Sequence, residues 1–536
     1  MRISFLRHWS ESGGILLMSY GQFRTLLYQD QEQEVLDYYL IDPGPDVVVL
    51  DEAHQIKNAT SQISQLVQNF QTPARICLTG YPLQNNVKEY YHMLNFIAPG
   101  ILGSVDEFTT RFGSWVENVY ADTTKNLQEM ARKKMYALQL ITSRVTHRMD
   151  QTILRKDLPE KNDISILFKL SSAQHVGYVR FLNEFNSENV FNPLSGLMWL
   201  RGICNHPKIF QTIMRKRVEA KDAIKQLIYK KESIVIDVNR LNESNDDGIS
   251  YELTDEELLN SLDNKEANWI KTIFKSEDIE SWKCSGKMSF VLDLARKCKE
   301  LGEKLVVVSH SIVTLDFIQH LLLVFGINVN RLDGSTPQAD RQAIIDEFHV
   351  KSDIQVILLS AKAAAIGVNV TCASRIVLVD QDWNPLYDEQ SIGRIYRYGQ
   401  QKPVFVYRCI TQGTIEEAIN SQSIHKSSIA RHVIDNKPSM LELKKNQKMY
   451  YKVPEKDAPS VDLNDIDKDI LKDPITSYII NENQNMISDV KPFSLIAVGL
   501  SLNDLSEQDR KDAKNEAKKI LGHWISRNRK NRTKKE

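Results

Sequence analysis

The segment Val47-Val48-Val49-Leu50-Asp51-Glu52-Ala53-His54 carries the clearest chemistry in this sequence, because an unbroken apolar run ends in two adjacent carboxylates. Such a run predicts a strand of a parallel sheet, buried on both faces. Ligands of open α/β sheets gather at the carboxyl ends of the strands, which is where Asp51 and Glu52 would emerge. There Asp51 can hold a Mg²⁺ that bridges phosphates, while Glu52 orients or deprotonates an attacking water. A strand running into a surface Asp-Glu pair is common, so the pair gains meaning only from groups that would complete such a site. The second half of the chain offers Gln390-Ser391-Ile392-Gly393-Arg394-Ile395-Tyr396-Arg397. Arg394 and Arg397, three apart, would share one face of a helix. Two guanidinium groups held together suit a phosphoryl group whose charge grows in the transition state.

The elements that must position these groups read as two α/β blocks. Gly14–Met18, Val47–Leu50 and Ala74–Leu78 are candidate strands of the first, followed by a polar, helix-rich stretch over residues 100–150. The second begins near Gly286. Its apolar runs are Leu305–Val308, Val356–Leu359, Ile376–Val379 and Val404–Tyr407, with helical patterns at Leu315–Leu323 and Asp340–Phe348 between them. That alternation is the signature of βαβ units around a parallel sheet. Between the blocks, Glu243, Asp246, Asp247, Glu252, Asp255, Glu256 and Glu257 form an acidic stretch with little periodicity, read as a solvated linker. After about residue 435 the pattern dissolves into charged, mixed sequence. The chain closes on Arg527, Arg529, Lys530, Arg532, Lys534 and Lys535, a basic tail fit for a nuclear address or a phosphate contact.

Composition bounds the rest. A chain of 536 residues exceeds one core and suggests about two to four domains. A net charge of −1 gives no global sign of nucleic acid, so any basic surface is local. The six cysteines are scattered without a C-x-x-C pair, which argues for a reducing compartment and against a disulfide framework or zinc finger. Cys204-Asn205-His206 lacks a second pair to complete four ligands, so packing is its expected role. Neither a membrane span nor a signal peptide is evident, and an intracellular protein is expected.

Several segments, in order, resemble the motifs of the Swi/Snf-type ATPases of helicase superfamily two. Asp51-Glu52-Ala53-His54-Gln55-Ile56-Lys57-Asn58 resembles motif II, and Leu78-Thr79-Gly80-Tyr81-Pro82-Leu83-Gln84-Asn85-Asn86 resembles motif III. Leu200-Arg201-Gly202-Ile203-Cys204-Asn205-His206-Pro207 resembles the helical brace, in which the histidine is structural. Ser285-Gly286-Lys287-Met288 resembles the start of the second lobe. Arg331-Leu332-Asp333-Gly334-Ser335-Thr336 and the stretch from Ser360 to Asn369 resemble motifs that grip the tracked strand. Asp380-Gln381-Asp382-Trp383-Asn384-Pro385 precedes the arginine motif, which continues into Tyr398-Gly399-Gln400. The ordered set covers roughly residues 10–435. Trp9 to Tyr20, Asp42–Asp46, Gln390–Ile392, Tyr398–Val404 and Thr411–Glu416 are similar to the ATRX-like branch in particular.

This resemblance implies two RecA-like parallel-sheet lobes, the first incomplete, with helical insertions and a charged C-terminal tail. The expected boundaries are 1–190 for a partial first lobe with its insertion, 191–284 for brace and acidic linker, 285–435 for the second lobe and 436–536 for the extension. It implies ATP and Mg²⁺ as cofactors, with Asp51 on the metal, Glu52 activating water, and Arg394 and Arg397 completing the site. His54, Thr79, Gly80, Gly367 and Gln390 would couple nucleotide to movement. Lys57, Asn58, Ser335, Thr336, Lys362 and Trp383 would face or couple to DNA. The implied partners are double-stranded DNA and nucleosomes or DNA-bound proteins, in the nucleus, with DNA repair among the processes. The implied activity is ATP-dependent translocation on duplex DNA and chromatin remodelling.

The sequence departs from the family in three places. No G-x-x-x-x-G-K-[ST] phosphate-binding loop occurs in it, and Gly286-Lys287 is followed by Met288 and lacks the first glycine, so it is a decoy. A chain beginning partway through the first lobe would account for this, and weak ATP binding with little turnover is then expected unless an upstream segment is supplied. Tyr81 replaces a small threonine, and Ala363-Ala364-Ala365 stands where glycines are usual, which would make positive φ costly. Two other classes compete. A DEAH-type RNA helicase fits Asp51–His54 but not Tyr398-Gly399-Gln400, and a catalytically silent DNA- or chromatin-binding scaffold fits the missing loop but has no need of the acids and arginines.

Overall fold

A computed structural model describes residues 2–28, 33–80, 82–83, 86–117, 123–149, 157–188, 193–216, 274, 279–365, 367–430, 452–456, 459–493 and 505–532. The chain divides into two compact units: Met1–Asp150 with His425–Lys445 and Val498–Glu536, and Gln151–Ile424 with Asn446–Ala497. The acidic stretch at 243–257, Tyr81, and Lys534 and Lys535 of the basic tail lie outside the described residues.

In the first unit β1 (Val47–Leu50) and β2 (Ala74–Cys77) pair in parallel, Val47 opposite Ala74 and Leu50 opposite Cys77. Helices gather on the side to which Val48 and Leu50 point. These two join Leu26, Leu27, Leu94, Phe96, Phe108, Leu138 and Ile141 in one core. The expectation of a strand covered on both faces is not met. Val47 and Val49 are about half exposed, as are Ile76 and Leu78 of the same face. Gly14–Met18 is not a strand either. Gly13 and Gly14 take positive φ after the helix Arg2–Ser12, and Ile15 and Leu17 stand 97% and 94% exposed. A short apolar run makes a strand only where a partner supplies the ladder, and among the described residues this segment has none.

The second unit holds seven strands in the order β5-β6-β4-β7-β8-β3-β9. They are β3 (Lys161–Phe168), β4 (Leu305–Ser309), β5 (Asn328–Leu332), β6 (Ile354–Ser360), β7 (Arg375–Leu378), β8 (Val404–Thr411) and β9 (Ile487–Pro492). All pairs are parallel except β3 with β9. Every residue of β4, β6 and β7 is buried, which is why these strands show in the sequence as continuous apolar runs. The expected helices appear as Ile312–Val324 and Gln338–Val350. The helix Gly286–Leu301 starts on Ser285, whose hydroxyl accepts from the Met288 N–H, and stops at Gly302, φ 66°, where glycine alone is unstrained.

Two boundaries differ from those expected. The expected first lobe runs to residue 190, yet β3 pairs along its whole length with β8, Lys161 opposite Val404 and Phe168 opposite Thr411. The extension from 436 is no mere tail. The helix Pro474–Glu482 and β9 belong to the second unit's core through Ile475, Ile479, Ile480, Ile487 and Val490. The brace helices Ser172–Glu188 and Pro193–Asn205 bury Tyr178, Phe181, Trp199 and Leu200 against Ile415 and Ile419. These partners lie more than 200 residues apart in sequence, beyond the reach of local pattern.

Candidate functional site

In the first unit the candidate residues cluster at the carboxyl ends of β1 and β2. The ladder runs on past the strands, with the Leu78 N–H donating to the Leu50 carbonyl at 2.8 Å and the Ala53 N–H to the Leu78 carbonyl at 2.9 Å. Asp51, Glu52, Thr79 and Gly80 therefore follow directly from paired strands. Asp51 is exposed, and its Oδ1 accepts the Glu52 N–H at 2.9 Å. Glu52 has left-handed backbone, φ 47° and ψ 48°, and is the only such non-glycine residue among the described residues. That conformation costs an L-residue about 1–2 kcal/mol, and such strain concentrates at functional sites. The Glu52 carboxylate lies 3.2 Å from Nδ1 of His54. Tyr20, leading the helix Tyr20–Leu27, donates its hydroxyl to the Asp51 carbonyl at 2.7 Å. Burial, with Cys77, Asp51 and Glu52 nearby, drives the Tyr20 pKa upward, so the phenol keeps its proton.

Lys57 is half-buried and lies 3.9 Å from the Glu89 carboxylate. Asn58 is exposed, and its Oδ1 accepts from the backbone N–H and the hydroxyl of Thr60. Lys57 is thus anchored to a helix of its own unit, and Asn58 shapes the turn before the helix Gln62–Gln68.

In the second unit the candidates again follow the carboxyl ends of parallel strands. Ser335 and Thr336 come after β5. Ser335 donates both N–H and hydroxyl to Asp333 Oδ1, at 2.9 and 2.5 Å, and Thr336 Oγ1 accepts the Asp333 N–H. Burial alone would raise the Asp333 pKa, but the Ser335 donors and Arg331 at 2.7 Å outweigh it and hold the carboxylate below its ordinary range. Lys362, exposed, and Gly367, φ 60°, follow β6. Ala363 and Ala364 are buried in the helical turn Ala361–Ala365, where no positive φ is required, so the cost expected of alanine there does not arise. Positive φ falls instead on Gly367.

The arginine segment departs from expectation. Asn384 caps the helix Pro385–Ile392 by accepting the Leu386 N–H, with Pro385 fitting its first turn. This helix carries Gln390 but ends at Ile392, so Arg394 and Arg397 lie in turns beyond it and not on a helical face. Arg394 donates Nε to the Ala364 carbonyl at 2.7 Å, while its own carbonyl accepts the Val370 N–H. Arg397 is exposed. Trp383 packs partly buried against the brace cluster.

Behind these loops runs a buried polar network that sequence reasoning missed. Lys287, a decoy as a phosphate-binding lysine, directs its three donors to Glu416 Oε1 at 2.6 Å, Asn205 Oδ1 at 3.0 Å and the Val379 carbonyl at 2.9 Å. Asn205 passes Nδ2 to Asp380 Oδ2 at 2.9 Å. Asp380 also accepts the Ser309 hydroxyl and the His310 N–H, each at 2.7 Å. The His310 ring lies 3.1 Å from Asp388 and 3.5 Å from Asp382. Asp388, on the capped helix, thereby ties that helix to the end of β4. Nothing local marks Lys287, since its carboxylate partner lies 129 positions onward. His206 is structural, as the resemblance implied. Its Nε2 meets the Ser281 carbonyl at 3.1 Å, its Nδ1 accepts the Lys208 N–H, and burial lowers its pKa to about 4. No cluster of metal-ligating side chains occurs among the described residues, and no described helix is long and apolar enough to cross a membrane.

Known proteins share much of this sequence. Residues 9–209 match the SNF2-related domain, and residues 286–399 match the helicase conserved C-terminal domain. Protein CHROMATIN REMODELING 20 of Arabidopsis thaliana is 32% identical over 81% of this chain and 31% of its own length. Transcriptional regulator ATRX of Homo sapiens is 28% identical over 81% of this chain and 21% of its own. The chain spans about a third or less of the length of these two relatives. The Sulfolobus solfataricus SWI2/SNF2 ATPase core in complex with dsDNA is 22% identical over 72% of this chain and 70% of its own, with a TM-score of 0.33. With both domain models matched in order, the chain belongs to the SNF2 ATPase family of helicase superfamily two.

Proposed function

We propose that this chain provides the hydrolytic acids, the arginine groups and the DNA-tracking surface of an ATP-dependent translocase on double-stranded DNA that remodels chromatin in the nucleus. The observation that carries the reading is Asp51-Glu52 at the end of β1, with Glu52 in strained left-handed backbone beside His54. The donor set suits ATP with Mg²⁺, because an exposed carboxylate is a hard oxygen ligand of the kind that ion takes beside phosphates and water. When bound, they would supply the phosphoryl group and a positive charge that offsets the negative charge on its oxygens. Asp51 would hold the ion. Glu52 would orient the water and take its proton, its carboxylate steadied by His54. Arg394, braced by the Ala364 carbonyl, and Arg397 would stabilise charge developing on the phosphoryl oxygens. Lys57, Asn58, Ser335, Thr336, Lys362 and Trp383 would meet or couple to the DNA backbone, giving salt-dependent and largely sequence-independent binding. The names of the matched relatives, a chromatin-remodelling protein and a transcriptional regulator, support a nuclear, chromatin-directed role.

A second reading, a silent DNA-binding scaffold, is favoured by one observation: the sequence contains no G-x-x-x-x-G-K-[ST]. Steady-state ATP hydrolysis separates the two. It would be measured with and without duplex DNA, for the chain alone and for the chain joined to a segment bearing a phosphate-binding loop. Duplex-stimulated turnover in either form, lost on Glu52→Gln and reduced at least about 100-fold on Arg394→Ala, is expected. Duplex binding without turnover in both forms would leave the scaffold.

A further inference from the structure

We infer that the outer face of the C-terminal helix Glu507–Arg532 is a second contact surface for the phosphate backbone of duplex DNA, separate from the motif residues. The helix is two-sided. Ala513 and Ala517 are buried in the first unit's core, with Ile520, Leu521 and Trp524 packed against it. Trp524 Nε1 donates to the Pro99 carbonyl at 3.0 Å. Three of its four acids serve this inner side. Asp509 and Asp512 pair with Lys133 at 3.4 and 2.8 Å, and Glu516 with Lys134 at 2.6 Å. Lys511, Lys514, Lys518 and Lys519 are all exposed, and among the described residues none of the four makes an ion pair.

A solvated helix face ordinarily mixes both signs. Here docking consumes three of the four acids, leaving only Glu507 exposed at the start of the helix with the lysines outward beyond it, and from Ala517 to Arg532 the sequence holds six Lys or Arg and no Asp or Glu. Positions 511, 514 and 518 are spaced to share one stripe, with 519 flanking it, and about 10 Å of helix separates the first from the third. Duplex DNA presents about one charge every 1.7 Å of its axis, so a rigid row of cations meets phosphates at any register. Lysine, a point charge on a flexible stem, asks nothing of base sequence. The inference draws on the proposed function only in choosing duplex DNA over another polyanion.

The test is fluorescence anisotropy of a short labelled duplex against the whole chain over a salt series. Lys511→Gln, Lys514→Gln, Lys518→Gln and Lys519→Gln would be combined in one variant and compared with the matching Lys→Arg set. Every phosphate that a lysine no longer neutralises should flatten the slope of log K against log salt by about 0.9, so a decrease of roughly 2–4 is expected with Gln and none with Arg. On the unsubstituted chain, duplex should protect these four lysines from acetylation, a readout that stands even if the Gln variant fails to fold. Wild-type affinity and slope in a folded Gln variant, or no protection, overturns this surface while leaving the function reading intact. If the unsubstituted chain binds no duplex, both fall. Displacement of the duplex by polyglutamate at equal charge concentration would assign the face to an acidic protein and overturn the inference.

Discussion

At the scale of single residues, His310 is the group whose titration should be visible from outside. It faces Asp380 through its backbone, Asp388 and Asp382 through its ring, and the edge of Tyr387, with Arg201 reaching Asp380 from the brace at 4.0 Å. Burial alone would lower its pKa, but the hydrogen bond with Asp388 and the charges of Asp382, Asp388 and Asp380 outweigh burial and raise it. Folded His310 thus holds its proton more tightly than the unfolded chain does. Its contribution is complete below the unfolded value near 6.5 and is lost as pH rises through the raised value. Asp380 behaves oppositely. Burial would raise its pKa, yet Arg201, His310 and the Ser309 hydroxyl hold it low, so its contribution exists above the ordinary carboxylate range and vanishes as pH falls through the depressed value. Urea midpoints for the second unit should therefore decline as pH rises above about 6.5, the ordinary histidine value, and His310→Gln should flatten that decline. Equal slopes in both proteins would remove His310 from the account.

At the scale of elements, the start of the helix Gly286–Leu301 shows what the strands demand of their neighbours. A Cβ at Gly286 would stand 3.0 Å from Met486 Cβ and 3.0 Å from the Phe168 ring. The glycine therefore lets the helix approach the ends of β3 and β9, and it brings Lys287 onto Glu416. Gly286→Ala should cost about 1–3 kcal/mol of the second unit's stability, since Met486 Cβ sits too near the backbone to yield freely. Chemical denaturation would read the loss, and an unchanged midpoint would mean that β3 and β9 shift without strain. How much of the fold was legible follows from the same elements. The runs at Val47, Leu305, Val356, Ile376 and Val404 could be read because continuous apolar runs stand out locally, although Gly14–Met18 shows that such a run becomes a strand only beside a partner. β3 and β9 could not, because mixed strands such as Lys161–Phe168 take their meaning from partners far along the chain. Motif order is what singles out Asp51, Glu52, Arg394 and Arg397 as candidates. Their conformations were not legible: the helix stops before Arg394, and Glu52 rather than an alanine carries the backbone strain.

At the scale of the whole molecule, the C-terminal hundred or so residues serve both units in turn. Residues 459–493 finish the second unit, with Val461, Ile466, Ile470, Ile479 and Val490 in its core and β9 antiparallel along β3. After Leu505 the chain joins the first unit, where the helix Glu507–Arg532 lies along Lys125–Thr142. Removing the two parts in succession should therefore destabilise the units separately. Ending the chain at residue 504 deletes Ala513, Ala517 and Trp524 from the first core and strands Lys133 and Lys134 without their carboxylates. Amide exchange should then quicken in Lys125–Thr142, while β3 and β8 keep their protection, because β9 remains. Ending it at residue 451 removes β9 as well. The outer edge of β3 then opens, and Ile164, Ile166 and Phe168 lose the cover of Ile479, Ile480 and Ile487. Exchange in β3 should rise steeply, since an unpaired edge strand beside a stripped core has little left to hold its amides. Hydrogen exchange by mass spectrometry on the full chain and both truncations resolves these peptides. Loss of β3 protection already at the first truncation would contradict the division, because it would mean that the C-terminal helix supports the second unit as well as the first.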